Sequence, residues 1–316
     1  MQNWGMLSKA ERDAAYNNSD AVKNSPELNA ARIALSEKFR AAHSGHLDLK
    51  YGPKERNTWD LFPAKDPNAP CLVFIHGGYW QRNKASEFAS LIGGVYAHGW
   101  AAGLMGYTLA PDASLTEIVA EINASLDWLA ANGGKHGING KVVLSGWSAG
   151  GHLTAMCLGH PRVHAGLAVS GLFELGPIRD TYLNEKLKLT EDELVKQRQA
   201  LLRKFRERWA AQAQALKDAV ALFDKETGIK TDLQQINGPD LITKFIAGSQ
   251  VGDVPDVVQT NTGWTFLQPQ SAWNDQLADV SDVIAPREKE FLPAALDSCR
   301  YYNKVLKKRS YYAVPI

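Results

Sequence analysis

The chain has 316 residues, of which 45% are hydrophobic and 22% are charged, and its formal net charge is +1. This composition is typical of a globular protein of one large or two ordinary domains, and the charge gives no electrostatic reason to expect nucleic acid or an anionic membrane as a partner. No run approaches the ~18 apolar residues of a membrane span. The first ten residues have no apolar segment of signal-peptide length, so we expect a cytoplasmic protein.

The cysteines are few. Cys71, Cys157 and Cys299 are odd in number and widely spaced. They predict free thiols in a reducing compartment rather than a disulfide or metal framework. We expect no metal and no cofactor.

The first half of the chain alternates between apolar runs and helical patterns. Pro26 suits a first helical position and predicts a helix through Phe39. The uninterrupted apolar run Cys71–Ile75 is typical of a strand buried on both faces. Further elements are expected as strands over 58–62, 101–107, 141–145 and 165–170 and a helix over 114–131. The alternation predicts a doubly wound parallel sheet.

Two glycines follow the strand Cys71–Ile75 at once, in His76-Gly77-Gly78. Glycines in this place let backbone N–H groups converge on a ligand oxygen. In an acyl-transfer enzyme such donors form an oxyanion hole, each stabilising the tetrahedral intermediate by about 3 kcal/mol. Taken alone, the motif is also a common strand-to-loop turn in which His76 only braces the loop.

A second motif, Gly146-Trp147-Ser148-Ala149-Gly150, lies between a short apolar strand and an apolar helical pattern. This is the G-x-S-x-G nucleophile elbow in the strand–turn–helix context that it requires. Ser148 is then expected at the N-terminus of a helix, where developing negative charge is favoured. A turn that merely links a strand to a helix is the alternative.

Residues from about 11 to 190 resemble the arylformamidase-like (kynurenine formamidase-like) branch of the α/β-hydrolases. The segments that carry the resemblance are Gly45–Asp48, Tyr51–Pro53, His76–Trp80, Gly146–His152 and Ser170–Leu175. The resemblance implies that Ser148 is the nucleophile and that the backbone N–H groups of Gly78, Tyr79 and Ala149 form the oxyanion hole. It also implies a small ester or N-formyl amide as substrate.

A serine nucleophile needs a base, and in this superfamily the acid and the histidine follow the serine along the chain. Only His152, His160 and His164 follow Ser148. His152 lies one helical turn on, where it would project away from the hydroxyl, and the other two lie about a helix length away. We expect all three to be structural. The triad acid and base are therefore unassigned, and impaired activity is expected.

The composition changes after Leu189. Apolar residues at helical spacing over Glu191–Lys225 predict one or two surface helices. The elements expected beyond them are strands over 228–236, 254–258 and 311–316, a helix over 239–247 and a mostly helical stretch over 288–305.

Residues from about 215 to 316 are similar to the first part of the extracellular sugar-binding (solute-binding) proteins of ABC transporters. The segments that carry this resemblance are Phe223–Ile229, Gly252–Val258, Ala272–Asp279 and Tyr311–Ile316. Such proteins close two lobes over a ligand, and only part of one is recognised here. Trp264 and Trp273 can stack on a sugar ring, but a buried or half-buried core role is preferred for both, and no ligand site is assigned.

The sequence thus predicts a truncated α/β-hydrolase over 1–192, without its usual C-terminal Asp/His segment, and a partial solute-binding lobe over 193–316. A serine hydrolase is the leading hypothesis. The alternatives are a catalytically inactive fusion or truncated product, and a solute-binding module of an ABC transporter. Because the later hydrolase strands are missing after Ser170, an exposed sheet edge is expected, with low solubility or a partner that covers it.

Overall fold

The computed structural model describes residues 4–234, 238–251, 271–291 and 293–313. The chain divides into two compact units, Met1–Asp218 and Ala219–Ile316, and each is described by itself. The division falls within one long helix. The domain boundary predicted at 192/193 marks the change from one family resemblance to the other. It stays a prediction. Among the described residues, no helix combines the length and the apolar character that crossing a bilayer needs.

A six-stranded sheet forms the centre of the first unit. Its strands are His46–Lys50 (β1), Thr58–Phe62 (β2), Cys71–Ile75 (β3), Ala101–Met105 (β4), Val142–Trp147 (β5) and Val163–Val169 (β6). The spatial order is β1-β2-β4-β3-β5-β6. Strands β3 to β6 are parallel to their neighbours among themselves, which confirms the mostly parallel sheet. The parallel prediction is wrong for β1 and β2, which pair antiparallel, because the short connection 51–57 can join two neighbouring strands only as a hairpin.

Helices cover the sheet. Those of the first unit are Lys9–Ala15 (α1), Asn18–Ala21 (α2), Ser25–Ala42 (α3), Gly93–Ala97 (α4), Leu115–Asn132 (α5), Ala149–Met156 (α6), Gly176–Arg179 (α7), Asn184–Leu187 (α8) and Glu191–Thr227 (α9), the last crossing into the second unit. Three 3-10 helices lie at Trp4–Met6, Ala85–Ile92 and Gly133–His136.

The two faces of β3 belong to two separate apolar clusters. Val73 and Ile75 pack with residues of α5 and α6 such as Ile118 and Leu153. Phe74, which alternates with them, packs on the other face with Phe88 of the 3-10 helix Ala85–Ile92. Because successive side chains of a strand point to opposite faces, an uninterrupted apolar run is what a strand between two helical layers requires.

The predicted helices start where the sequence signals placed them. Pro26 lies in the first turn of α3. Ser114 caps α5 in a reciprocal arrangement, since it accepts a bond from the Glu117 N–H while the Glu117 side chain accepts from the Ser114 N–H. Such a capping box satisfies backbone donors that the first turn leaves without partners.

The three cysteines are free and buried. Burial raises the pKa of the Cys71 and Cys157 thiols to about 12, so both behave as small apolar side chains at neutral pH. This agrees with the expectation of free thiols.

The second unit is less regular. After α9 it contains Gly238–Val251 (α10), Ser281–Ile284 (α11), Pro293–Ser298 (α12), the strands Arg300–Asn303 (β7) and Lys308–Tyr311 (β8), and a 3-10 helix at Ala285–Glu290. Strands β7 and β8 form an antiparallel hairpin. Ile284, Cys299 and Tyr311 form its small buried cluster.

Several predictions for this unit need correction. Residues 228–234 form no strand. The stretch 288–305 is not mostly helical, because α12 ends at Ser298 and the aromatic pair Tyr301 and Tyr302 belongs to β7, a placement that suits aromatic side chains. The strand predicted over 311–316 is wrong for residues 312 and 313, because β8 ends at Tyr311. Residues 314–316 lie outside the described residues. The predicted helix over 239–247 is confirmed within α10. The predicted strand over 254–258 lies outside the described residues.

Candidate active site

Ser148 stands at the turn between β5 and α6 with φ 57° and ψ −117°. A positive φ is uncommon for a residue with a Cβ and marks a strained backbone. Ser148 is the N-cap residue of α6, yet its side chain makes no capping hydrogen bond. Its hydroxyl is therefore not engaged in holding the helix, and the residue remains half-buried at the turn.

The glycines on either side of Ser148 are required by the closeness of the backbone. A Cβ on Gly146 would lie 2.2 Å from the carbonyl oxygen of Gly150, and a Cβ on Gly150 would lie 2.0 Å from the carbonyl oxygen of Ile75. Both distances are far below van der Waals contact. The first turn of α6 thus lies directly against the end of β3, where the His76-Gly77-Gly78 loop begins.

That loop brings a second strand end to Ser148. A Cβ on Gly77 would lie 2.7 Å from the Trp147 carbonyl oxygen and 3.1 Å from the Ser148 Cβ. Gly78, Tyr79 and Trp80 follow with φ of 118°, 51° and 58°. This succession of left-handed residues turns the backbone sharply.

The backbone donors named by the sequence lie on both sides of Ser148. Within the described residues, the N–H groups of Gly78, Tyr79 and Ala149 donate to no backbone or side-chain acceptor. Gly78 and Tyr79 belong to the loop after β3, and Ala149 begins α6. Unengaged N–H groups at a helix N-terminus and in an adjoining turn are suited to bind a negatively charged oxygen.

Residues from other segments hold the loop after β3 in shape, and no sequence motif predicted them. The Asn83 side-chain amide donates to the Gly77 carbonyl over 3.0 Å, and the Ala110 N–H donates to the Trp80 carbonyl over 2.8 Å. The Tyr79 hydroxyl donates to the Tyr16 carbonyl over 3.3 Å. Such contacts between distant segments carry no local sequence pattern by which they could have been found.

His76 braces the loop from within the core. Its ring is fully buried, stacks on Tyr107 at a centroid distance of 4.3 Å and places Nδ1 2.8 Å from the Gly77 carbonyl oxygen. The Tyr107 hydroxyl donates to the His76 carbonyl over 2.9 Å. Burial lowers the pKa of His76 to about 3, so the ring is neutral at physiological pH.

No histidine among the described residues hydrogen-bonds to Ser148, and all eight histidines lie within the described ranges. His152 is buried with its ring edge-on to Trp80 at 5.3 Å, and burial lowers its pKa to about 4. His160 places Nε2 3.0 Å from Asp127 Oδ1. His164 lies near the start of β6, whereas Ser148 follows the end of the parallel strand β5.

A cavity of ≈ 140 Å³ adjoins the nucleophile helix. It lies between α6, the segment after β6 and the first part of α9, and its lining includes His152, Leu175, Arg179 and Gln197. Ser148 is not part of this lining. No group of three or more His, Cys, Asp or Glu side chains in the described ranges is placed to hold a metal ion.

In the second unit, Trp273 is 48% exposed and its ring lies 5.8 Å from that of Tyr302. Trp264 and the Gly252–Val258 segment lie outside the described residues. The resemblance of this unit to solute-binding proteins stays a prediction.

Comparison with known proteins finds a family model within the first unit and several relatives of this chain. The BD-FAE family model matches residues 60–164, a span that contains both the His76-Gly77-Gly78 loop and Ser148. The kynurenine formamidase of Danio rerio is 29% identical over 211 residues, covering 61% of this chain and 70% of its own. That of Salmo salar is 29% identical over 167 residues, covering 50% and 56%.

A solved structure resembles this chain in both sequence and fold. It is a provisionally assigned thioesterase from Silicibacter sp. TM1040, 31% identical, with a TM-score of 0.55. The match covers 59% of this chain and 73% of that one. Together, the sheet order, the elbow and these relatives support an α/β-hydrolase of the esterase and formamidase type.

Proposed function

We propose, on the premise that the first unit is an esterase- or formamidase-type α/β-hydrolase, that it is a serine hydrolase acting on a small ester or N-formyl amide. Ser148 is the nucleophile. The N–H groups of Gly78, Tyr79 and Ala149 form the oxyanion hole. The substrate class is transferred from the kynurenine formamidase relatives.

The observation that carries the proposal is the backbone at Ser148. The φ of 57° at Ser148 is strained, and its side chain makes no capping bond to α6 that would offset this strain. Such strain is found at functional sites. The same turn lies beside N–H groups that have no acceptor in the described part of the chain.

In the proposed reaction the Ser148 Oγ forms a bond to the carbonyl carbon of the substrate. The carbonyl oxygen takes the negative charge and is stabilised by the three N–H groups. The bond to the alcohol or amine then breaks, the serine proton passes to the leaving group, and water later releases the acid from the acyl-enzyme. With no histidine beside Ser148, this proton must pass through water, and the step is slow.

The second candidate is a hydrolase unit without turnover. It is favoured by the placement of His152, His160 and His164, none of which reaches Ser148. Both candidates share the fold and differ only in whether Ser148 is acylated.

Turnover of p-nitrophenyl acetate and of N-formylaniline by the full chain tests the proposal, with Ser148→Ala as the control. We expect slow hydrolysis that the substitution abolishes. Equal rates for the two proteins, each folded by circular dichroism, would contradict the serine mechanism and favour the inactive candidate.

Two further predictions are kept as part of the proposal. The solute-binding resemblance predicts heat on calorimetric titration of the full chain with monosaccharides and disaccharides, and a titration without heat would count against it. A cytoplasmic location is also kept as a proposal, and imaging of the tagged protein would test it.

A further inference from the structure

Strand β6 is the last strand of the sheet in the part of the chain that the structure describes, where it pairs with β5 alone. All residues from His164 to Val169 are exposed. Leu167 and Val169 keep 56% and 43% of their surface in solvent. The expectation of an exposed edge after Ser170 is thereby confirmed.

The backbone N–H and C=O groups of β6 point alternately toward β5 and toward the open edge. The Val169 carbonyl accepts from the Ser148 N–H over 2.9 Å, and the Leu167 carbonyl accepts from Ser145 Oγ over 3.0 Å, so these residues point their polar backbone groups toward β5. In a strand the next residues must then point theirs the other way. Gly166 and Ala168, which lie in the regularly paired part of β6, therefore present N–H and C=O groups toward the open edge.

The opposite edge of the same sheet is protected, and this contrast is informative. Strand β1 carries the charged residues Asp48 and Lys50, its pairing shifts register between His46 and Leu49, and Asp48 has a φ of 56°. Charges and bulges are the usual means of preventing an edge strand from pairing with another chain. Strand β6 carries no Asp, Glu, Lys or Arg. Its one register shift lies at its start, where Val142 and Val143 pair with Val163 and Ala165, and the pairing is regular from Ala165 to Val169.

The sequence along the open edge is also unusually neutral. Between Val163 and Phe173 it contains no Asp, Glu, Lys or Arg, and His164 is its one titratable residue. A strand of this kind can lie opposite an identical copy without bringing like charges together.

We infer that β6 is the contact surface for a second copy of this chain, which adds its own β6 antiparallel and extends the two sheets into one. Centring the two-fold axis on Gly166 turns the outward backbone groups of Gly166 and Ala168 toward the second strand. It places Gly166 opposite its counterpart in the second copy. The inference does not depend on the proposed function.

The side chains suit this register. A Cβ on Gly166 would meet Leu158 and Thr154 of the α6 side. Beyond the register shift at the start of the strand, Gly166 and Ala168 therefore face α6, and Ala165, Leu167 and Val169 face the other way. On that other face Ala165 lies opposite the partner's Leu167, whereas Val163 belongs to the buried core on the α6 side. The two-fold axis repeats this apolar pair, and the exposed area of Leu167 is partly removed from water.

Sedimentation of the full chain over a range of concentrations tests the inference. We expect a monomer–dimer equilibrium that Leu167→Lys shifts at least tenfold toward the monomer, because lysine protects an edge and remains solvated in the monomer. Leu28→Lys makes the same change at a side chain that is 55% exposed on α3, and it should leave the equilibrium unchanged. A monomer at all concentrations, assemblies larger than the dimer, or a dimer insensitive to Leu167→Lys would each overturn the inference.

The register has its own test. The three native cysteines are buried, so Ala165→Cys combined with Leu167→Cys introduces the exposed thiols. Mild oxidation should yield a covalent dimer on a non-reducing gel. Each single variant should yield far less, since 165 faces the partner's 167 rather than its own counterpart. Equal cross-linking of the single and double variants would overturn the register centred on Gly166.

Discussion

Gly77 lies so close to Ser148 that a methyl group on it would stand 3.1 Å from the Ser148 Cβ. It would also stand 2.7 Å from the Trp147 carbonyl oxygen, which is a clash with backbone that cannot move freely. The end of β3 and the turn after β5 are thus held in contact by the lack of a side chain at one position.

We therefore expect Gly77→Ala to displace Ser148 and to destabilise the fold by about 1–3 kcal/mol, the usual cost of forcing an extra methyl group into packed structure. Thermal melting and acylation of Ser148 should both decline. Gly94→Ala is the matched control, because no atom lies within 4 Å of its added Cβ, and in helix α4 it should stabilise by roughly 0.5–1 kcal/mol. A Gly77→Ala protein that melts and reacts like the parent would refute this account of the contact.

No histidine in the described part of the chain hydrogen-bonds to Ser148, and this predicts chemical rescue. Added imidazole should raise the rate at which Ser148 is acylated, in proportion to its concentration, because it can accept the proton that no histidine of the described chain is placed to take. The adduct is measured by intact-protein mass spectrometry, since imidazole also hydrolyses activated esters in solution. Fast acylation that imidazole does not change would indicate a base within the chain.

Acid should destabilise the first unit through its buried histidines. Burial lowers the pKa of His152 to about 4 and that of His76 to about 3, against about 6.5 in an unfolded chain. Below pH 6.5 the unfolded state then binds more protons than the folded state. The free energy of unfolding must therefore fall as the pH decreases from about 6.5 toward 4.

For His152 alone the loss approaches about 3 kcal/mol at the acid end of this range. Urea unfolding at several pH values measures it, and His152→Gln should reduce the slope. His98→Gln, a replacement of an exposed histidine, serves as the control and should retain the slope of the parent. A His152→Gln protein with an unchanged slope would contradict the prediction.

Two equivalent capping boxes should differ in their effect on global stability. Ser114 caps α5, which buries six residues including Ile118 and Ile122, so Ser114→Ala should cost about 1 kcal/mol of global stability. Ser8 caps α1 in the same way, but α1 buries no residue. Ser8→Ala should therefore leave the melting temperature nearly unchanged, and a loss as large as that of Ser114→Ala would show that α1 unfolds together with the sheet.

Much of the first unit could be predicted because its signals are local. The apolar run Cys71–Ile75 became β3 at the same residues, and the Gly-Trp-Ser-Ala-Gly motif became the turn between β5 and α6. In both cases a short segment must satisfy strong steric or burial requirements of its own, so few conformations remain open to it.

The contacts that hold the site together could not be predicted in this way. The bond from Asn83 to Gly77 and that from Tyr79 to Tyr16 join segments whose positions are set by the whole sheet. The hairpin β7–β8 was missed for a related reason: Tyr301 and Tyr302 are acceptable in either a helix or a strand, and pairing across the turn decides between them.

Reaction of the full chain with a fluorophosphonate, followed by peptide mass spectrometry, tests the proposed role of Ser148 most directly. We predict a phosphonyl adduct on Ser148, slow to form and absent from Ser148→Ala. No adduct on Ser148 in protein that melts as a folded chain, even with imidazole added, would contradict the assignment of Ser148 as the nucleophile.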